Sequence, residues 1–176
     1  MVILVHWHPK EDWILQKVQK RHKEELDKLE VEMNLEKTKV VDLKKGGSFS
    51  FLGFDFRLTR NREGKAYVSK TPRKKKCIEI GKRVRAVLKA NWNKPLKEVI
   101  QTVNATISGW VNYFRIGNSN SAFSKVRDYL EMKVRKFVLR RKKLKGFGWK
   151  RWSREEIYGK WGLYNDYRIR YVHPKA

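Results

Sequence analysis

His6 and His8 lie two residues apart, a spacing that puts both imidazoles on one face of an extended strand and offers two ligands to a metal ion. A tetrahedral centre needs further donors, and no third ligand follows at a spacing that closes the site, so the two read as histidines at a surface edge. Nucleophilic catalysis has as little support. Carboxylates are scarce after residue 45, and the chain has neither a His-Asn-His cluster nor a phosphate-cradling glycine loop. Cys77 is the single cysteine, which excludes an internal disulfide framework and fits a reducing compartment such as the cytoplasm.

Binding chemistry is far more prominent. The formal charge is +25, carried unevenly: residues 1–45 hold 10 Lys/Arg against 9 Asp/Glu, whereas residues 46–176 hold 33 against 9. Such an excess calls for a polyanion, most simply RNA or DNA, and places it on the second part of the chain. Arg73, Lys74, Lys75 and Lys76 stand at the entry to a basic segment that continues through Lys82, Arg83, Arg85 and Lys89. The pattern returns at Lys125, Arg127, Lys133, Arg135 and Lys136 and runs into Arg140, Arg141, Lys142 and Lys143. Cations of this kind neutralise phosphates and release counterions. The stretch Lys145–Trp152 then interleaves Lys150 and Arg151 with Phe147, Trp149 and Trp152, the mixture that holds unpaired bases and their phosphates together. The competing reading of Trp149 and Trp152 is core packing of a small C-terminal subdomain, and a charged helix face is commonly just solvated.

The elements that must carry these groups follow from periodicity. Met1–Val5 is an apolar, β-branched run that reads as a buried strand; it is cut short at His6–Pro9 and lacks a basic flank, so a strand rather than a leader peptide is expected there. A helix of roughly 20 residues is expected on Ile14, Val18, Leu26, Leu29 and Met33, ending near Asn34. Thr38–Leu43 and Ser48–Leu58 read as strands joined by Lys44–Gly47, with Gly53 marking a bulge or a close backbone approach in the second. Asn61–Gly64 reads as a turn and Tyr67-Val68 as a short strand. Thr71-Pro72 resembles a cap followed by a first-turn proline, predicting a helix from there to about Ala90. Pro95 opens a helix with Leu96, Val99, Ile100, Val103, Ile107, Trp110, Val111 and Phe114 on one stripe. After the polar link Ile116–Ser121 a third helix is expected on Phe123, Val126, Leu130, Val134, Phe137 and Val138, closing at Gly146–Gly148. Ser153 with Glu156 forms the pattern of a capping box, and Tyr164–Tyr171 reads as extended. The fold class expected is α+β. No apolar stretch approaches the ~20 residues that span a bilayer.

Three segments in order, NLEKTKVVD (Asn34–Asp42), SFSFLGFDF (Ser48–Phe56) and SGWVNYFR (Ser108–Arg115), with WGLYNDYRIRY (Trp161–Tyr171) beyond them, resemble the C-terminal half of group II intron reverse transcriptases, or maturases. The resemblance implies residues 1–70 as the C-terminal remnant of a polymerase palm (strand, helix, β-hairpin) and residues 71–176 as a three-helix thumb, or maturase X, domain. In that family a Tyr-Ala-Asp-Asp sequence precedes a strand similar to MVILVHWHP. The chain then starts beyond the metal-holding aspartates and is expected to be a truncated form, inactive alone as an RNA-directed DNA polymerase. It would need no cofactor itself, Mg²⁺ belonging to the full-length enzyme.

By the same resemblance Lys37 would sit near an incoming nucleotide, and Phe51, Leu52, Gly53 and Phe54 would match the primer-grip hairpin. Gly109, Trp110, Asn112, Tyr113, Phe114 and Arg115 would belong to the thumb helix, with Trp110 and Phe114 inside and Asn112 and Arg115 turned towards RNA. The partners implied are intron RNA and template–primer, with a DNA target as a further one, and a role in splicing that needs no protein carboxylates. The alternatives are a general basic RNA-binding protein without intron specificity and a basic amphipathic protein of the membrane surface, the latter less suited to dense Trp-Tyr-Gly motifs.

Overall fold

The computed structural model describes residues 3, 5, 12–32, 34, 36 and 38–170. His6, His8, Lys37 and most of the run Met1–Val5 lie outside the described residues, as does the strand expected there. The chain divides into two compact units, Met1–Gly47 and Ser48–Ala176.

The first unit contains α1 (Asp12–Lys28). This helix is shorter than its apolar spacing predicts. Glu30 takes a left-handed conformation (φ 54°), and the N–H groups of Leu29 and Val31 both return to the Leu26 carbonyl, which closes the helix before Asn34. Thr38–Leu43 does not form the expected strand. The Asp42 carboxylate accepts the N–H groups of Lys44 and Lys45 at 2.8 and 3.3 Å, and the Asp42 carbonyl accepts that of Gly47 at 3.1 Å. Lys44–Gly47 is thus a turn wound around an aspartate, a local geometry that competes with strand pairing.

The second unit is α+β, with an antiparallel sheet of three strands followed by helices. The strands are β1 (Ser48–Phe51), β2 (Phe54–Arg60) and β3 (Ala66–Pro72), in the order β1-β2-β3. The single strand expected over Ser48–Leu58 is a hairpin: Phe51 pairs with Phe54, and Leu52 and Gly53 form a two-residue turn with φ of 47° and 80°. Positive φ at both central positions gives the twist that suits a tight hairpin. Asn61–Gly64 closes the second hairpin as expected, the Asn61 side chain accepting from the N–H groups of Glu63 and Lys65. Thr71 and Pro72, expected to start a helix, instead end β3 opposite Asp55 and Phe54. Pro72 is tolerated there because β3 is an edge strand and the proline stands at its end.

Three helices follow: α2 (Lys74–Ala90), α3 (Leu96–Phe114) and α4 (Asn120–Arg141), then a π-helical turn, α5 (Glu156–Lys160). The α3 stripe is buried as its spacing predicts: Val99, Ile100, Val103, Ile107, Val111 and Phe114 are all inside, with Leu96 and Trp110 packed against them. Burial of each such side chain contributes about 1.5–3 kcal/mol. Ile80, Val84 and Leu88 of α2 and Phe123, Val126, Leu130, Val134, Phe137 and Val138 of α4 complete the cluster. α2 and α4 run in the same direction, since Cys77 shares a cleft with Lys125 near their starts and Trp92, just after α2, meets Phe137 edge-on at 5.4 Å. α4 stops at Arg141, earlier than Gly146.

The sheet and helices share this core. Phe54 is buried, and its ring lies 4.9 Å from Phe114. The polar link 116–121 is a clasp: Asn118 donates its N–H to the Lys70 carbonyl at 2.7 Å, and its side-chain oxygen accepts the Lys70 N–H at 3.0 Å. Gly117 makes this approach possible, because a Cβ there would stand 2.6 Å from the Lys70 carbonyl oxygen.

Candidate nucleic-acid interface

α2 is a basic ridge between two clefts. Lys75, Lys82 and Lys89 recur at seven-residue spacing, so they share one side of the helix, away from Ile80, Val84 and Leu88. All three are exposed, and so are Lys74, Arg83 and Arg85. None of these six has an ion-pair partner among the described residues, whereas Arg73 meets Asp55 at 3.4 Å and Lys76 meets Glu79 at 2.8 Å. Glu79 lies near enough to feel the charge of Lys75 and Arg83 but is bonded to Lys76, so the ridge cations remain available to a phosphate.

The first cleft, about 960 Å³, lies between α2, α3 and the tip of the β1–β2 hairpin. Lys76 and Arg83 line it from one side, Gly109, Trp110 and Tyr113 from the other, and Leu52 and Gly53 close its end. The tip is fixed by two hydrogen bonds: the Tyr113 hydroxyl donates to the Leu52 carbonyl at 2.7 Å, and the Arg73 N–H donates to the Gly53 carbonyl at 2.9 Å. Leu52 is exposed, Phe51 half-buried and Phe54 part of the core. The four residues expected to act as one grip therefore divide into an exposed tip and an apolar root. Asn112 is exposed on α3.

The second cleft, about 380 Å³, lies between α2 and α4, with Ile78, Cys77 and Tyr129 as apolar lining and Lys74, Arg85 and Lys125 at its margin. Lys133 lies over the Tyr129 ring at 5.1 Å. Burial raises the Cys77 thiol pKa, an effect that the nearby Lys125 charge partly opposes. The thiol is thereby kept in its less reactive protonated form.

A second basic group follows at the end of α4. Arg140, Lys142, Lys143, Lys150 and Arg151 are exposed, and Lys136 lies 3.9 Å from the Phe147 ring centre. Arg141 is anchored, donating to the Lys94 carbonyl at 2.8 Å. The expected capping box is present, Ser153 and Glu156 exchanging side-chain to backbone hydrogen bonds at 3.1 and 3.2 Å.

Two arginines counted among the surface cations are interior. Arg115 does not face solvent. Its guanidinium donates to the Tyr164 hydroxyl at 3.1 Å and to the Asp166 carboxylate at 3.3 Å, holding the C-terminal segment against α3. Burial pushes the Asp166 carboxyl up, but hydrogen bonding and charge from Arg115 outweigh it and leave its pKa below the ordinary value. Asn104 adds a second tie, accepting from the Tyr164 N–H and donating to the Gly162 carbonyl. The SGWVNYFR and WGLYNDYRIRY segments thus belong together because each holds the other. Residues 161–170 form no regular strand.

Arg135 is likewise buried and pairs with Glu131 at 3.1 Å. Glu131 is fully enclosed and also accepts from Tyr158 and Arg154. Burial raises the Glu131 pKa, yet the hydrogen bonds from Tyr158, Arg135 and Arg154 prevail and bring it below the ordinary value. Burial, reinforced by Glu131, pushes the Tyr158 hydroxyl well above its usual range.

Residues 79–159, from the first turns of α2 into α5, match the family model of the group II intron, maturase-specific domain. The chain is a relative of the group II intron maturases. The match covers the ridge from Glu79 onward, both clefts in large part, the Glu131 network and the aromatic loop, and supports a role in intron splicing with intron RNA as partner. No curated protein matches the chain. No helix among the described residues is long and apolar enough to cross a membrane, and none of their His, Cys, Asp and Glu side chains group in threes that could hold a metal ion.

Proposed function

We propose that the protein acts as a maturase, binding folded intron RNA through the α2 ridge and the basic end of α4, and that it assists splicing by holding that fold rather than by chemistry of its own side chains. The observation that carries the reading is the set of exposed α2 cations without carboxylate partners, on a segment with 33 Lys/Arg against 9 Asp/Glu. Phosphate neutralisation by such a surface gives affinity, and the shape of the surface gives preference for one RNA fold.

In this reading residues 71–176 act as a thumb and residues 1–70 as part of a polymerase palm. The first cleft, with Leu52 and Gly53 at its end and Lys76 and Arg83 along its side, takes the primer end of a template–primer pair. Lys37 belongs near the incoming nucleotide, and DNA is a further ligand of the same surface. Primer extension in such a cleft would require carboxylates that hold two metal ions.

Competition binding tests the proposal. A structured group II intron is expected to displace a bound labelled intron at lower concentration than unrelated RNA of equal length. Equal displacement by both would identify a general basic RNA-binding protein instead.

A further inference from the structure

Phe147 and Trp149 are the most exposed aromatic side chains of the loop after α4, at 51% and 47%. The loop is shaped to present them. Gly146 and Gly148 flank Phe147 with φ of 102° and 81°, and Lys143 also turns left-handed at 55°. Each ring has a cation from α4 against it: Lys136 Nζ lies 3.9 Å from the centre of Phe147, and the Arg135 guanidinium carbon 4.1 Å from that of Trp149. Trp152, the third aromatic of the stretch, packs inward against Trp161 at 5.3 Å. The structure therefore separates an exposed pair from a packed one.

The surroundings select the occupant. Residues 133–153 contain ten Lys/Arg and no Asp or Glu. Arg135 is paired with Glu131, but the exposed Arg140, Lys142, Lys143, Lys150 and Arg151 have no ion-pair partner among the described residues. An apolar protein partner would therefore meet a dense positive field there, whereas a nucleic-acid strand brings a phosphate for the cations with every base it offers to a ring. A base edge or paired helix cannot use the ring faces, because its own bases are already stacked.

We propose that Phe147 and Trp149 form a stacking platform for two unpaired RNA bases, with Lys142, Lys143, Lys150 and Arg151 holding the flanking phosphates. This deepens the reading of the protein as an intron-RNA binder and rests on it. The platform distinguishes single-stranded loops or junctions from paired stems, which the α2 ridge, reading phosphates alone, does not.

The test compares the full chain with its F147A/W149A variant, using a single-stranded RNA oligonucleotide carrying 2-aminopurine and a fully paired duplex of equal length. The variant is expected to lose roughly tenfold to a hundredfold in affinity for the single strand while duplex binding stays within about twofold, given what a stacked base contributes. Binding of the single strand should quench or enhance 2-aminopurine fluorescence with wild type and not with the variant. F147Y/W149F, which keeps two ring faces, should restore the single-strand affinity; circular dichroism confirms that each variant is folded. Equal loss on both RNAs, or no loss on either, overturns the platform while leaving the α2 ridge reading in place. Wild type that binds neither RNA overturns both. Binding to anionic phosphatidylserine vesicles that depends on Phe147 and Trp149, with RNA binding indifferent to them, would reassign the rings to a membrane surface and also overturn the platform.

Discussion

Arg135 and Arg140 stand on the same helix, five residues apart, and do opposite work. Arg135 is enclosed, with its guanidinium against Glu131 and its side chain also bonded to the Trp152 carbonyl. Arg140 is exposed and, like Lys142 and Lys143 beyond it, has no ion-pair partner among the described residues. Removing the carboxylate from the first group leaves buried charge uncompensated, whereas removing cations from the second takes charge from open solvent. The contrast shows that a cation's meaning is set by burial and by the presence of a carboxylate, neither of which residue type reveals.

The largest expected effect comes from Glu131→Gln. It leaves Arg135 buried without its counter-charge and should destabilise the second unit by about 3–5 kcal/mol, read as an early shift in urea or thermal unfolding. A change under about 1 kcal/mol would place Arg135 among the solvated cations and erase the contrast. Arg115→Ala should follow, at about 1.5–3 kcal/mol, because a buried guanidinium loses its bonds to the Tyr164 hydroxyl and the Asp166 carbonyl. Proteolysis should then cut within residues 161–170 sooner than in wild type.

Glu131 also sets a pH dependence. Its folded pKa lies below the ordinary glutamate value of 4.5, so its stabilisation is fully present above that value and is lost as pH falls through the depressed folded value. Unfolding midpoints should therefore hold from neutral pH down to about 5 and decline below about 4. Tyr113→Phe should be milder, at about 0.5–1.5 kcal/mol, since the Leu52 carbonyl it frees sits at an exposed tip.

Much of the helical frame was readable beforehand. The α3 stripe follows from the 3.6-residue period over five turns, and the Ser153–Glu156 box from a local pattern of two residues. What escaped depends on partners distant in sequence. Thr71-Pro72 looks like a helix start until β2 supplies its ladder partners. The Leu52-Gly53 turn lacks the Asn or Asp that usually marks a two-residue hairpin, and Leu52 adopts its positive φ where Tyr113 and Arg73 tie down the tip. Arg115 reads as an RNA contact because its carboxylate, Asp166, lies 51 residues away. Asn104 and Asn118, whose side chains clasp distant backbone, carried no signal in spacing at all. Of the candidate site, the basic character of α2 was visible; the two clefts that flank it required the helices to be placed.

The salt dependence of RNA binding, compared between wild type and R140A/K142A/K143A, tests the central claim most directly. Arg141 is left intact because it anchors Lys94. With about six phosphates neutralised, the wild-type slope of log affinity against log salt should be roughly −5, and each lost contact should make it shallower by about 0.9. The account predicts a triple variant that is folded, binds more weakly at low salt and has a slope shallower by about 2–3. An unchanged slope in a folded variant would show that these exposed cations do not hold RNA, and would contradict it.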